Sequence, residues 1–191
     1  RIRALVEFGD VEAGELGGYV EKESNLGHDD NAWVYDNAWV YGNARVYGDA
    51  QVSGDARVYD NAWVYGDAQV SGDARVYGNA RVYGNAWVYG NAWVYGNAWV
   101  YGNALVCSDE DYAYAHGFGS VNRTTTFFRL KDGGVGVRCG CFYGTLAQFR
   151  DKIRETHGET KKAQEYLMLA DLMELRFEED ENEVGNRKYV E

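Results

Sequence analysis

Arg123 and Arg138 are the side chains of this 191-residue chain whose type and neighbours suit an anion. Arginine presents a planar fork of donors that matches phosphate oxygens two at a time. Ser120, Asn122 and Thr124 add hydroxyl and amide donors beside Arg123. If the two guanidinium groups converge, these five residues make a phosphate-sized site. If they do not, they are the solvated edges of a small sheet. The chain carries no Walker or dinucleotide fingerprint, so no nucleotide cofactor is expected.

Cys139 and Cys141 are the second candidate. Two thiols one residue apart on a strand lie on the same face, but structural zinc favours a spacing of two to four residues and further ligands. The remaining cysteine is Cys107 and the histidines are distant in sequence. The expectation is therefore no metal and two buried thiols behaving as small apolar groups. A nucleophilic role would need a positioned base that the sequence does not supply.

What must position these groups is a repeat. From Asn31 to Val106 the chain reads Asn/Asp-Ala-x-Val-Tyr/Ser/Cys-Gly/Asp/Ser without a slip. Valine recurs every six residues from Val34 to Val106, and alanine stands two before each, from Ala32 to Ala104, making thirteen hexads. Residues two apart in a strand share a face, so each hexad predicts a short strand with Ala and Val inward. Gly or Asp followed by Asn or Asp predicts a tight corner, because these types tolerate the left-handed backbone region. A helix fits period six and β-branched residues badly. Gln51-Val52-Ser53 recurs as Gln69-Val70-Ser71, and Arg57 as Arg75, eighteen residues later. Eighteen is three hexads, the expectation for a triangular coil of three strands. Thirteen hexads then make about four coils, a rod on the order of 20 Å long.

Hexads with an aliphatic and a small residue at this offset resemble the hexapeptide repeats of left-handed parallel β-helix proteins. Left-handedness is what the resemblance implies; the general crossover rule favours the other hand. The repeat covers about 40% of the chain. Together with Thr124-Thr125-Thr126-Phe127-Phe128, Cys139-Gly140-Cys141-Phe142 and Gly144-Thr145-Leu146, it is similar to hexapeptide-repeat proteins of Firmicutes and their phages, which implies a viral, host-directed role. Enzymes with this repeat are mainly acyltransferases using an acyl-coenzyme A donor and a histidine base. By that resemblance His28, in an irregularity before the repeat, or His116, after it, would be the base. No loop interrupts the hexads to shape a donor cleft, and His157 falls at a helix end, where a cation suits the dipole.

The outward residues follow from the same alternation. All six tryptophans, Trp33, Trp39, Trp63, Trp87, Trp93 and Trp99, are expected to point out of the rod. Eighteen-residue steps place Arg45, Trp63, Arg81 and Trp99 along one face and Trp39, Arg57, Arg75 and Trp93 along another, with Tyr41, Tyr59, Tyr77 and Tyr95 beside the latter. Guanidinium groups beside indoles gain about 0.5–1 kcal/mol each when exposed. These rows are either stabilising cross-strand ladders or a contact surface, since exposed apolar patches above a few hundred Å² mark partners. Self-association, trimeric as in related β-helix proteins, is the expected partner. The interior, lined by Ala and Val, should be filled.

The flanks differ. Residues 1–30 carry eight acids and three bases and read as a cap with two worn hexads at Val20 and Leu26. Residues 31–108 are the β-helix, 109–123 a linker, and 124–191 a small ββαα domain. In it, Thr124–Leu130 and Val135–Tyr143 are the predicted strands around a Lys131–Gly134 turn. Thr145 with Gln148 predicts a capping box on a helix burying Leu146, Phe149 and Ile153 that Gly158 ends. A second helix from Lys161 to Phe177 buries Tyr166, Ala170, Met173 and Phe177. The acidic tail after Glu178 is expected to fray.

Nineteen basic residues against thirty acidic ones give a formal charge of −11, which argues against general nucleic-acid binding. The charge sits at the ends, −5 in 1–30 and −4 in 107–191 against −2 along the repeat, so a DNA mimic is not expected either. No apolar run of about 18 residues predicts a membrane span. Three cysteines suit a reducing cytoplasm. The chain opens at Arg1 without methionine or signal-peptide pattern, so its start gives no address. The expectation is a non-catalytic, oligomeric binding protein acting on a host protein or a small anionic ligand such as a signalling nucleotide. The alternatives are an acyltransferase and a structural spacer displaying the C-terminal module.

Overall fold

The computed structural model describes residues 1–118 and 123–178. The hexads form a parallel β-solenoid with three faces. One face stacks the strands of Val20, Val40, Val58, Val76 and Val94; a second those of Val46, Val64, Val82 and Val100; a third those of Val34, Val52, Val70, Val88 and Val106. Partners are eighteen residues apart within the repeat, as in Val64↔Val82 and Arg81↔Trp99. Every Ala and Val of the thirteen hexads is buried, most completely, so the interior is packed with its own side chains.

There are about five coils rather than the four that the regular hexads give. The extra coil comes from the worn hexads: Tyr19–Val20 pairs with Trp39–Val40, and Leu26 bridges Val46. Gly18 N–H donates to Val34 O at 2.7 Å, and residues 2–4 turn back along 15–18, as in Ile2 N–H to Gly18 O at 3.0 Å. This hairpin covers the open end, where unpaired strand edges would otherwise invite pairing. It also covers one of the outward tryptophans. Trp33 is buried, because Phe8 packs edge-on against it with ring centroids 5.4 Å apart. Its indole Nε1 has no hydrogen-bond partner among the described residues.

The corner at Gly48 requires glycine. Its φ is +73°, and a Cβ there would meet Gly66 N of the next coil at 2.9 Å, so only glycine fits without displacing the stack. Asp36 and Asp60 adopt the same left-handed conformation without being glycine. Their carboxylates accept from the Gly54 and Gly78 amides of the next coil at 3.0 and 3.2 Å.

At the other end the four strands Tyr112–Phe118, Arg123–Arg129, Val135–Cys139 and Phe142–Thr145 form an antiparallel sheet in that order. The segment expected to be a linker thus supplies the first strand. The segment expected to be one strand from Val135 to Tyr143 is two, because Gly140, with φ of +60°, turns the chain. Alternation across this sheet does two jobs. Phe127 points into a core with α1 (Leu146–His157) and α2 (Lys161–Phe177), while Phe128 and Leu130 join the solenoid core. The sheet is therefore a plug on the rod. Side chains of the sheet and of the turn before it also take over the bonds that a further coil would make: Trp99 N–H donates to Thr126 Oγ1 at 3.0 Å, and Trp93 N–H to Asp109 Oδ1 at 2.7 Å.

Both helices begin at threonines and bury the expected residues. Thr145 and Gln148 make the reciprocal capping box, Gly158 closes α1, and all seven anticipated inward residues are buried. Arg150 ties the helices through Asp171 at 2.8 Å and Glu174 at 2.7 Å. The expectations for Ser120, Asn122 and the tail after Glu178 lie outside the described residues.

Candidate functional site

Where the plug meets the last coil there is an open cleft of about 500 Å³, lined by Asn97, Trp99, His116, Arg123, Thr124, Arg138 and Gly140. Arg123 and Arg138 come from neighbouring strands and do converge on it. Arg138 is fixed from behind: Nε donates to Tyr83 OH at 3.1 Å and Nη1 to Phe142 O at 3.0 Å, which leaves Nη2 for a ligand. Arg123 makes no ion pair among the described residues, and its guanidinium lies over Gly140, which has no side chain to displace it. His116 Nδ1 and Thr124 Oγ1 are 2.8 Å apart, so the ring is oriented and Nε2 remains available.

Asn97 is the lining residue that sequence reading missed. The corner asparagines form a ladder in which Asn43 donates to Asn61 at 3.3 Å, Asn61 to Asn79 at 3.4 Å and Asn79 to Asn97 at 3.3 Å. Each amide nitrogen points toward the following coil. Eighteen residues after Asn97 stands Ala115, so the last amide has no acceptor in the ladder. The series was readable in the sequence at the spacing that found the coils. Among the described residues, everything polar that lines the cleft can donate a hydrogen bond, and no carboxylate lines it. Such a set suits a multiply charged oxyanion, because charge-assisted hydrogen bonds are about twice as strong as neutral ones.

A second cleft of about 260 Å³ lies on the far side of the Cys139–Cys141 turn. Arg123 lines both. The second is walled by Phe142, Phe149, Ile153 and Tyr166, with Lys152, Thr156 and His157 also lining it. Cys139 ends its strand half-buried, with Thr125 Oγ1 donating to Sγ at 3.1 Å; Cys141 is exposed, against the expectation of two buried thiols, because the turn lifts it off the sheet. Burial, and next to it the neighbouring Cys139, pushes the Tyr166 phenol up to about 12. No cluster of three His, Cys, Asp or Glu side chains among the described residues could hold a metal.

The outer faces carry the ladders. Arg81 lies over Trp63 and over Trp99, at 4.8 Å from each, and Arg45 lies over Trp63 at 5.7 Å. Arg138 continues this column at 5.3 Å from Trp99. On the neighbouring face Arg75 lies over Trp93 at 4.7 Å, Trp39 stacks on Tyr19 at 4.6 Å, and Arg57 pairs in register with Arg75. Tyr41, Tyr59, Tyr77 and Tyr95 stack at 4.9–5.4 Å. Trp39, Trp87 and Trp93 are exposed, with Lys131 over Trp87 at 4.0 Å. His28 lies in the first coil and His116 on the plug, so the two alternative bases stand at opposite ends of the solenoid.

Residues 38–52, 50–66, 68–82, 74–90, 80–96 and 88–102 match the family described as the YdcK Beta solenoid repeat. This is a β-solenoid repeat protein. No curated protein matches the chain. No helix among the described residues is long and apolar enough to cross a membrane.

Proposed function

We propose that this β-solenoid is a non-catalytic binding protein that captures a small phosphate-bearing ligand at the junction of rod and plug. One observation carries the reading. In a chain of charge −11, the junction cleft gathers Arg123, Arg138, His116, Thr124 and Asn97, with no carboxylate lining it among the described residues. A structural ion-pair network would place acids among those cations. The Arg138 anchoring through Tyr83 and Phe142 is the kind of support that holds a binding group in place before its ligand arrives.

The test is calorimetric titration of the full chain with methyl phosphate. Binding at roughly millimolar dissociation constant or tighter, lost in Arg123→Ala and Arg138→Ala but kept in Arg57→Ala, supports the reading. Absence of heat at these concentrations, or equal loss in all three variants, overturns it.

A second reading is self-association, trimeric by the hexapeptide-repeat resemblance, or docking on a host protein. The exposed Trp39 and Trp93 on one face favour it, since tryptophan is enriched at interface hot spots. The resemblance to proteins of Firmicutes and their phages adds a host-directed, anti-defence role in a host cytoplasm. Mass in solution separates this reading from the first, for a strict monomer that retains ligand binding removes the need for a partner.

A further inference from the structure

Arg123 is the shared wall of two clefts whose chemistries differ. On one side every polar lining group donates hydrogen bonds; on the other an aromatic and aliphatic wall of Phe142, Phe149, Ile153 and Tyr166 stands beside Lys152, Thr156 and His157. The ridge between them is the Cys139-Gly140-Cys141 turn, which is bare at its centre because Gly140 has no side chain, and the Arg123 guanidinium lies across it. A single molecule can therefore touch both clefts by passing Arg123.

Resting on the phosphate reading above, we infer that the ligand is an aromatic phosphomonoester, with its phosphate in the donor-lined cleft and its ring in the cleft beneath α1. Two observations direct the ring there. Trp99, the aromatic group of the first cleft, has Arg81 at 4.8 Å from the preceding coil and Arg138 at 5.3 Å from the plug, so its faces are already taken. The second cleft is lined by a cluster of rings in mutual contact: Phe142 and Phe149 are 5.5 Å apart, Phe149 and Tyr166 5.8 Å, and His157 stacks on Tyr166 at 6.0 Å. Aromatic rings favour such edge and offset contacts. Its volume, about 260 Å³, falls below the ~300–1,000 Å³ of a pocket for a whole drug-sized molecule, and suits one substituent.

The experiment compares methyl phosphate with 1-naphthyl phosphate on the full chain and on Thr156→Trp. Thr156 is an exposed position of α1 at the second cleft, so the new indole fills the cleft without touching the core. The expected result is that naphthyl phosphate binds wild type at least about tenfold more tightly than methyl phosphate, a difference of 1.4 kcal/mol. That advantage disappears in Thr156→Trp while methyl phosphate binding is unchanged. Equal binding of the two phosphates by wild type overturns the inference and leaves the phosphate reading standing. An advantage that survives Thr156→Trp places the ring elsewhere and also overturns it. Failure of both phosphates to bind wild type removes the phosphate reading itself.

Discussion

The Arg123 guanidinium occupies the space directly over the Cα of Gly140, where any β-carbon would collide with it. Gly140→Ala should therefore do two things. The left-handed φ of +60° costs alanine about 1–2 kcal/mol, and the methyl group pushes Arg123 out of the junction cleft. Gly133 is the control: its φ is +85°, yet nothing lies within 4 Å of a Cβ there. Thermal melts should show both Gly→Ala variants less stable. Phosphate titration should show weakened binding in Gly140→Ala alone.

The joint between rod and plug rests partly on one hydroxyl. Trp99 N–H is met by Thr126 Oγ1 at 3.0 Å, where every interior coil offers a backbone carbonyl instead. Thr126 is 1% exposed, so water cannot replace it in Thr126→Val. Leaving a buried N–H unpaired costs about 1–3 kcal/mol. Hydrogen exchange should speed up at Trp99 and along the plug before it does in the middle coils. Uniform acceleration through the whole rod would mean that the joint is not where unfolding starts.

Arginine on the outer faces is not one kind of residue. Arg81 lies between Trp63 and Trp99 and touches both rings, so Arg81→Ala should lose two cation–π contacts, about 1–2 kcal/mol together. Arg57 instead stands in register with Arg75, a like charge, and like charges directly opposite are destabilising. Arg57→Ala should leave stability unchanged or raise it. Urea unfolding of the two variants side by side checks this, and equal losses would sink the distinction.

Period carried most of the fold into view. Valine every six residues and matching triplets every eighteen specify inward faces and three-strand coils, because both follow from local alternation and the corner's conformational demands. The same spacing placed Arg81 against Trp99. What escaped was set by contacts distant in sequence. Trp33 has the outward position of its fellow tryptophans, and only the folding-back of Phe8 buries it. Tyr112–Phe118 looks like a linker until Phe128, one strand over, needs a sheet to aim it into the rod. Arg123 and Arg138 were nameable as a pair, but their convergence depends on the plug's register, and Asn97 matters because the ladder stops there.

The stacked and buried phenols should make the protein sensitive to alkali. Burial, reinforced by its stacked neighbours Tyr83 and Tyr47, pushes Tyr65 up to about 12, and burial beside Cys139 does the same for Tyr166. Below pH 10 these phenols are neutral in folded and unfolded chains alike and give no pH dependence. Between pH 10 and 12 the unfolded chain releases protons that the folded chain retains, so stability falls as pH rises through that window. Absorbance at the phenolate band should show a tyrosine fraction titrating late, and urea midpoints should decline over the same range. Tyr65→Phe removes one such phenol while keeping a ring between Tyr47 and Tyr83, which stack on it at 4.9 and 4.7 Å. Its decline should be shallower than that of wild type. An identical slope would mean that ionisation of Tyr65 is not coupled to unfolding.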